Sequence, residues 1–259
     1  MNFITTQHDY VLDLLEDIVK SQHQVSTDII TCSTREDFLD EVLALALALE
    51  HRHDDERELA PTTQSQDGGN REMLPAERIH MLLTPTLQLL NASRFCNLVF
   101  CPTTTVLRGY LASYCPEVAS ASPAESSSNA VHGRMIILNL LALHHGTSEF
   151  TLQGLSQTLA TAVSAAHGAK RRLELVECKD ARDPSNPSRG PMLWQADVQL
   201  LSAAIKIGEG GSSWGRRSIS VMTLASRWFR IRHAVSANEQ VRPELRRHKR
   251  VKSEDEMLV

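Results

Sequence analysis

The sequence predicts an α/β fold in which a mostly parallel sheet is flanked by helices and closed by an antiparallel C-terminal hairpin. Between residues 10 and 177, short β-branched or continuously apolar runs alternate with segments of helical periodicity. This alternation is typical of a parallel sheet that is covered on both faces. Beyond residue 194, strand-like runs follow one another across short connections, which is typical of antiparallel pairing.

The helices are predicted from apolar spacing and composition. Residues 10–21 place Val, Leu and Ile side chains at helical intervals, and residues 38–49 are rich in Leu and Ala, which favour helix. Ser33 and Thr34 precede the second segment as candidate N-caps. Further helices are predicted over residues 77–91, 103–114 and 151–167.

The strands are predicted from apolar runs that are too short for helices. Residues 28–32 are mainly β-branched, and residues 96–101 and 135–140 are apolar enough for buried strands. Further strands are predicted over residues 173–177, 195–207, 217–224 and 227–233.

Composition divides the chain into one domain, residues 1–236, and a basic disordered tail, residues 237–259. Three segments within the domain are rich in charged, small polar or proline residues, and they lie near residues 52–76, 116–133 and 179–191. Such segments cannot bury enough apolar surface to fold alone, so we expect disordered insertions there.

Length and composition exclude several classes of protein. The 259 residues are 42% apolar, which is enough for one sizeable core and excludes a wholly disordered chain. The longest apolar stretch, Met135 to Leu143, is far shorter than the roughly 20 residues of a membrane span, so no membrane partner is expected. The N-terminus shows no secretory signal, and five cysteines in mostly apolar surroundings indicate reduced intracellular thiols.

The formal net charge of −4 conceals an asymmetry. Residues 214–252 contain eleven Lys or Arg and two Glu, so this region carries +9 and the remainder carries −13. A basic end on an acidic body predicts a polyanionic or acidic partner, or else a solvated tail with a nuclear import signal.

No segment carries a complete set of catalytic residues. A phosphate-binding loop needs glycines before Lys-Ser or Lys-Thr at a helix start, and the sequence has none. Cys96 and Cys101 lack partners at zinc spacing, and no G-x-S-x-G turn exposes a nucleophile. His144 and His145 follow an apolar strand, where α/β sheets place functional loops. We therefore expect a protein that is not an enzyme and has no metal, cofactor or small-molecule substrate.

The order of elements resembles that of the RecA-type recombinases. DIITCSTREDFLDEVLALA (residues 28–46) is similar to a strand and helix of that family, and NLVFCPTTTVLRGYLASY (residues 97–114) is similar to the next pair. GRMIILNLLAL (residues 133–143) resembles the Walker B strand, and residues 147–177 resemble the loop, long helix and strand beyond it. Residues 195–233 resemble the antiparallel strands that close the recombinase core. The resemblance covers most of the chain and implies a RecA-like sheet.

Three departures from this family imply that ATPase activity has been lost. If residues 10–21 correspond to the helix after the P-loop, the nine residues before them cannot cradle phosphate. The position of the family's catalytic Glu is Arg35, and that of its Mg²⁺-organising Asp is Asn139. An Arg cannot act as a general base, and an amide cannot replace a carboxylate in a Mg²⁺ shell. The resemblance therefore implies a RecA-like pseudo-ATPase.

Degenerate members of this family usually act as partners of active ones. The resemblance thus implies a noncatalytic accessory subunit in homologous recombination and DNA repair, in a heteromer of the Shu type with a RecA-like paralogue subunit, and with single-stranded DNA as a second partner. The family's DNA-facing loops correspond to residues 144–157 and 179–191, and RRHKRVK (residues 246–252) resembles a nuclear localisation signal. The expected nucleic-acid-binding residues are His144, His145, Lys179, Arg182, Arg189, Arg246, Arg247, Lys249 and Arg250.

Two alternatives remain open. The chain is also similar to a structural RecA-like subunit of an Elongator-type tRNA-modification assembly, whose members lack P-loops as well. The other alternative is an enzyme that uses His144 and His145. Aromatic residues are scarce in the expected DNA-facing loops, so DNA affinity should be weak and strongly salt-dependent.

Overall fold

The computed structural model describes residues 2–21, 25–58, 82, 84, 86–115, 133–199 and 218–232, and only the backbone of residues 49–58. The strands are β1 (Phe3–Thr5), β2 (Thr27–Thr31), β3 (Cys96–Phe100), β4 (Gly133–Leu138), β5 (Arg171–Val176), β6 (Asp197–Gln199), β7 (Ser218–Ser220) and β8 (Arg230–Arg232). The helices are α1 (Val11–Lys20), α2 (Arg35–Glu58), α3 (Leu87–Ser93), α4 (Thr104–Ala112), α5 (Leu140–His144), α6 (Leu152–Gly168) and α7 (Val221–Ala225), with a 3-10 turn at Pro191–Gln195. None of the helices described is long and apolar enough to cross a membrane.

Six strands form one sheet in the order β3-β2-β4-β5-β1-β8. All of their pairings are parallel, and helices lie on both faces, so the predicted α/β fold is confirmed. The order differs from the two common doubly wound orders, 3-2-1-4-5-6 and 2-1-3-4-5, because β4 and β5 lie between β2 and β1.

Each face of the sheet is covered by its own helical layer. On one face, α1 and Phe38 of α2 pack against residues that include Ile136. On the other face, Leu107 of α4 and Leu155 of α6 pack in one cluster with Ile137. Neighbouring residues of a strand point to opposite faces, so β4 contributes to both cores and is buried almost throughout.

β3 is the outer strand of the sheet, although the sequence predicted a buried strand. Leu98 is 41% exposed, and Asn97 is exposed as well. Within the described residues β3 pairs with β2 alone. The apolar composition of residues 96–101 predicts a strand, but it does not show whether that strand lies at the edge or in the centre of the sheet.

β1 was not predicted from the sequence. It is only three residues long, yet it lies between β5 and β8, with Phe3 aligned to Glu174 on one side and to Arg230 on the other. Ile4 is fully buried in the same cluster as Leu107, Ile137 and Leu155. Three residues are too few to show periodicity in the sequence, so only the pairing with β5 and β8 defines this segment as a strand.

The C-terminal part follows the prediction in outline and differs in detail. β6 and β7 form an antiparallel pair in a separate two-stranded sheet. The strand expected over residues 217–224 ends at Ser220, whose hydroxyl accepts a hydrogen bond from the Thr223 amide at 3.2 Å and caps α7. β8 joins the main sheet parallel to β1 rather than extending the hairpin.

Two expected insertions are more ordered than their composition suggested. α2 continues to Glu58 and so includes the first part of segment 52–76. Segment 179–191 is held by Asp and Asn side chains that accept hydrogen bonds from its own backbone, which is a common way to order a polar loop. Residues 59–81 and 116–132 and the tail lie outside the described residues.

A buried carboxylate ties four elements together near the amino ends of the strands. Asp28 of β2 is 3% exposed and lies 3.2 Å from the guanidinium of Arg171 on β5. Asn97 of β3 donates a hydrogen bond to it at 2.9 Å, and the hydroxyl of Tyr114 after α4 donates another. These partners replace the water that a buried charge loses.

Candidate functional site

The carboxyl ends of β4 and β5 form the candidate site, because ligands of open α/β sheets bind beyond the carboxyl ends of their strands. Asn139, the residue predicted at the position of a Mg²⁺-organising Asp, follows β4 directly and is 3% exposed. Its backbone is left-handed, with φ 60° and ψ 38°. Asn adopts this conformation more readily than most residues, so the chain can turn sharply here into α5.

The hydrogen bonds of Asn139 join the two strand ends. Its backbone amide donates to the Val176 carbonyl at 2.8 Å, and its Oδ1 accepts from the Cys178 amide at 2.8 Å. The side-chain oxygen is thus used to hold β5 beside β4. A neutral amide engaged in this way is a structural group and a poor cation ligand.

Glu177 lies beside Asn139 and is fully enclosed. One carboxyl oxygen accepts a hydrogen bond from the Leu141 amide at 2.7 Å, and the other accepts from the Ala142 amide at 3.4 Å. Glu177 therefore accepts hydrogen bonds from backbone amides in the first turn of α5, which is the role that a conventional N-cap side chain would have. Burial raises the pKa of Glu177 to about 8, despite these two hydrogen bonds, so the protonated form predominates at neutral pH.

Three buried thiols follow the carboxyl ends of β2, β3 and β5. Burial raises the pKa of Cys32 and Cys178 well above the ordinary value, and it raises the pKa of Cys101 to about 11. A thiol in its neutral form is a weak nucleophile. Among the described residues, no three His, Cys, Asp or Glu side chains are grouped so that they could hold a metal ion.

His144 lies in the interior, which corrects its assignment to a DNA-binding loop. Its ring is fully buried, and Nδ1 lies 3.3 Å from the Glu149 carbonyl. Burial lowers the pKa of His144, so the ring is neutral at physiological pH. The same burial removes it from the proposed histidine pair of an enzyme. His145 is partly exposed and packs edge-on against Phe150, with ring centroids 5.3 Å apart.

Arg108 of α4 holds the loop that begins at His145. Its guanidinium donates to the Glu149 carboxylate, to the Gly154 carbonyl and to the Thr158 hydroxyl, each at 2.8 Å. A Cβ on Gly154 would lie 2.3 Å from the Glu149 carbonyl oxygen, so only glycine fits this close approach. The loop expected to face DNA is therefore fixed at several points to the helical layer.

The basic residues of the second expected DNA-facing loop each contact a carboxylate. Lys179 lies 3.2 Å from Asp9, and Arg182 lies 3.4 Å from Asp40 on the surface. The guanidinium of Arg189 contacts both oxygens of the Glu41 carboxylate of α2, at 2.9 and 3.0 Å, and both side chains are largely buried. These contacts fix the loop against the α1 and α2 layer.

These pairings leave little uncompensated charge on that loop. A largely buried arginine that contacts both oxygens of one carboxylate is committed to its partner, whereas an exposed pair such as Arg182 with Asp40 is easily exchanged. Arg189 is accordingly a structural residue, and Lys179 and Arg182 remain available to an anion only in competition with their carboxylates. The other expected contacts, Arg246, Arg247, Lys249 and Arg250, lie outside the described residues.

Arg35, the residue at the expected position of a catalytic Glu, begins α2 and is exposed. The hydroxyl of Thr34 accepts a hydrogen bond from the Asp37 amide at 3.1 Å, so the predicted cap of this helix is confirmed. Asn139 is buried, and Arg35 lies on the surface. No general base is present at either position.

Sequence reasoning missed Glu177, which is the most perturbed carboxyl group of the site. It stands in the run LELVECKD, where a polar residue after an apolar strand is normally read as solvated. No sequence signal indicates its burial, because its partners are backbone amides of α5 and Asn139, a residue type that commonly caps helices, already precedes that helix.

We predict that Glu177→Gln alters the pH dependence of stability. The folded pKa of about 8 lies above the ordinary Glu value of 4.5, so the folded state binds more protons than the unfolded state between these values. The Glu177 contribution is therefore full below about pH 4.5 and is lost as pH rises toward 8, by up to about 1.4 kcal/mol per pH unit. Urea unfolding at pH 5.5, 6.5 and 7.5 measures this slope.

Glu177→Gln should remove that fall, because the amide oxygen still accepts from the Leu141 backbone and carries no charge at any of these pH values. Glu36→Gln, on the exposed first turn of α2, is the matched control and should unfold with the same slope as the wild type. Equal slopes for the wild type and Glu177→Gln would contradict the assignment.

Comparison of the chain with protein families, with curated proteins and with solved structures finds no match.

Proposed function

We propose that this protein is a noncatalytic RecA-like accessory subunit in homologous recombination and DNA repair, bound to a recombinase-paralogue partner. The observation that carries the proposal is the junction at Asn139. A nucleotide-hydrolysing relative would keep a Mg²⁺-organising carboxylate at this point, whereas this chain has an amide whose oxygen holds the Cys178 backbone. The neighbouring carboxyl group, Glu177, is occupied by the backbone of α5.

The order of the elements supports the RecA-like assignment. Strand and helix follow one another as the resemblance requires, from β2 and α2, through β3 and α4, to β4, α6 and β5. The order β3-β2-β4-β5-β1-β8 also separates this sheet from the two common doubly wound nucleotide-binding sheets. Fold alone does not assign function, so the proposal rests on the site as well.

A partner subunit is supported by exposed apolar side chains around the outer edge of the sheet. Leu39, Leu43 and Leu47 recur every four residues on α2, and each is between 43 and 51% exposed. Phe38 of the same helix packs against Phe100 of β3, with ring centroids 5.7 Å apart, so the helix that carries this leucine stripe starts beside the outer strand. An outer strand with unpaired backbone groups is a natural site for another chain.

Nucleic-acid binding in this proposal is weak and is carried by few groups. His144 is buried, and Lys179, Arg182 and Arg189 have acidic partners, so His145 and the basic C-terminal region remain as the available contacts. The basic run at residues 246–252 is also the proposed nuclear localisation signal. Binding through a few phosphate contacts is insensitive to sequence and falls steeply with salt.

The nucleic-acid part is tested by fluorescence anisotropy of the full chain with single-stranded DNA and with tRNA, at 50 and 200 mM salt. We expect DNA binding that weakens by roughly tenfold or more between these concentrations, because counterions are released with each phosphate contact. Tight tRNA binding without DNA binding would overturn the recombination proposal and favour an Elongator-type assembly.

The partner is tested with Leu43→Glu, which places a charge in the centre of the leucine stripe and keeps a good helix former. Affinity purification of the full chain should recover a RecA-like subunit, and Leu43→Glu should weaken that association roughly tenfold or more, as expected for a central interface residue. Met192→Glu is the matched control, because Met192 is exposed on the 3-10 turn that packs in the opposite layer of the sheet. If both variants retain the partner fully, the leucine stripe is not the interface.

A further inference from the structure

A cavity of about 640 Å³ lies at the amino-end half of the sheet, away from the Asn139 junction. Its floor is the face covered by α1, where Thr27, Arg134 and Arg172 stand side by side in register on β2, β4 and β5. The end of α1 and one side of α3 form its walls. A volume of this size is in the range that binds small organic molecules.

Three arginines of this cavity converge on one glutamate. Glu174 of β5 is 2% exposed, and its carboxylate lies 2.9 Å from the guanidinium of Arg134 and 2.7 Å from that of Arg172. Arg232 of β8 lies 3.8 Å from the same carboxylate. Three positive charges against one negative charge leave an excess of two.

Among the described residues, the other ion pair that lines the cavity does not neutralise this excess. Lys20 also lines the cavity and is paired with Glu16 one helical turn away on α1. The Nε atom of Arg134 is buried and has no hydrogen-bond partner within the described chain. The guanidinium of Arg232 lies 4.5 Å over the ring of Phe3, which holds it at the cavity without supplying a negative charge.

The rest of the lining is largely apolar. It includes Phe3, Ile18, Val25 and Phe95, together with the side chains of Gln88 and Asn91 from α3. A ligand that fits this cavity therefore has a doubly negative group for the arginines and a non-polar part for the remaining wall. Arginine forks match the oxygens of phosphate and carboxylate groups.

We propose that this cavity binds a small phosphate monoester, with its phosphate placed among Arg134, Arg172 and Arg232 and its organic part against Phe3 and Phe95. The choice of phosphate follows from charge, because a phosphate monoester carries close to two negative charges at neutral pH and a single carboxylate carries one. The site is independent of the proposed function, since it lies at the other end of the sheet from Asn139.

The proposal is tested first on the unmodified full chain, by titration calorimetry at pH 7.5 and constant ionic strength. The probes are phenyl phosphate, inorganic phosphate and benzoate. Phenyl phosphate should bind most tightly, inorganic phosphate more weakly because it lacks the apolar part, and benzoate most weakly. Failure of phenyl phosphate to saturate the protein by 10 mM would overturn the proposal, and so would benzoate binding as tight as that of phenyl phosphate.

Three substitutions locate the binding. Arg172→Gln and Arg232→Gln each remove one charge from the cavity and should weaken phenyl phosphate binding roughly tenfold. Arg230→Gln removes a charge from the same strand as Arg232, at an exposed position outside the cavity lining, and should change the affinity less than twofold. Equal losses in all three variants would mean diffuse charge attraction and overturn the site. The probe series on the unmodified chain decides the proposal even if a variant fails to fold.

Discussion

The carboxyl ends of β4 and β5 lie inside the protein, so Asn139, Glu177 and the Cys178 amide need hydrogen-bond partners within the chain, and each has one. Asn139 and Glu177 are 3 and 2% exposed, and Cys178 is fully buried. Water cannot satisfy such groups, and an unpaired one costs free energy comparable to a lost hydrogen bond. The left-handed turn at Asn139, its bond to Cys178 and the capping of α5 by Glu177 all follow from this requirement.

The same requirement separates the two ends of the sheet. At the carboxyl end, the polar atoms of Asn139 and Glu177 are used to hold strands and a helix start together. At the amino end, one buried carboxylate has a balanced set of partners, whereas another is outnumbered by positive charges. Asp28 has an arginine, an amide and a hydroxyl as partners, whereas Glu174 faces three arginines. A polar network in which every group has a partner stabilises one structure, whereas an excess of positive charge beside a cavity is suited to binding an anionic ligand.

The fold class could be predicted because the short β-branched or apolar runs of β2, β4 and β5 are separated by segments whose apolar spacing or Leu and Ala content favours helix. Elements whose structure comes from their neighbours could not be predicted. β1 has only three residues, which are too few to show periodicity. β8 could not be placed because its sequence does not show whether it pairs with β7, as a hairpin would require, or with β1. The exposure of β3 could not be predicted either, because the composition of a strand does not show whether strands pair with it on both sides.

The candidate site was predicted only in part. Asn139 was expected near the end of a strand over residues 135–140, and it lies just past the end of that strand, which stops at Leu138. The burial of His144 and the pairing of Arg189 with Glu41 could not be predicted, because they depend on contacts across long stretches of chain. Glu177 was overlooked because its partners are backbone amides of α5, which carry no sequence signature.

The proposal that this chain does not use ATP at the carboxyl edge of its sheet is tested most directly by titration calorimetry with ATP and Mg²⁺ in an Arg172→Gln background. That background reduces any binding at the arginine cavity. The account predicts no saturable ATP binding there up to millimolar concentrations. ATP binding of micromolar affinity that disappears on Asn139→Ala would contradict it.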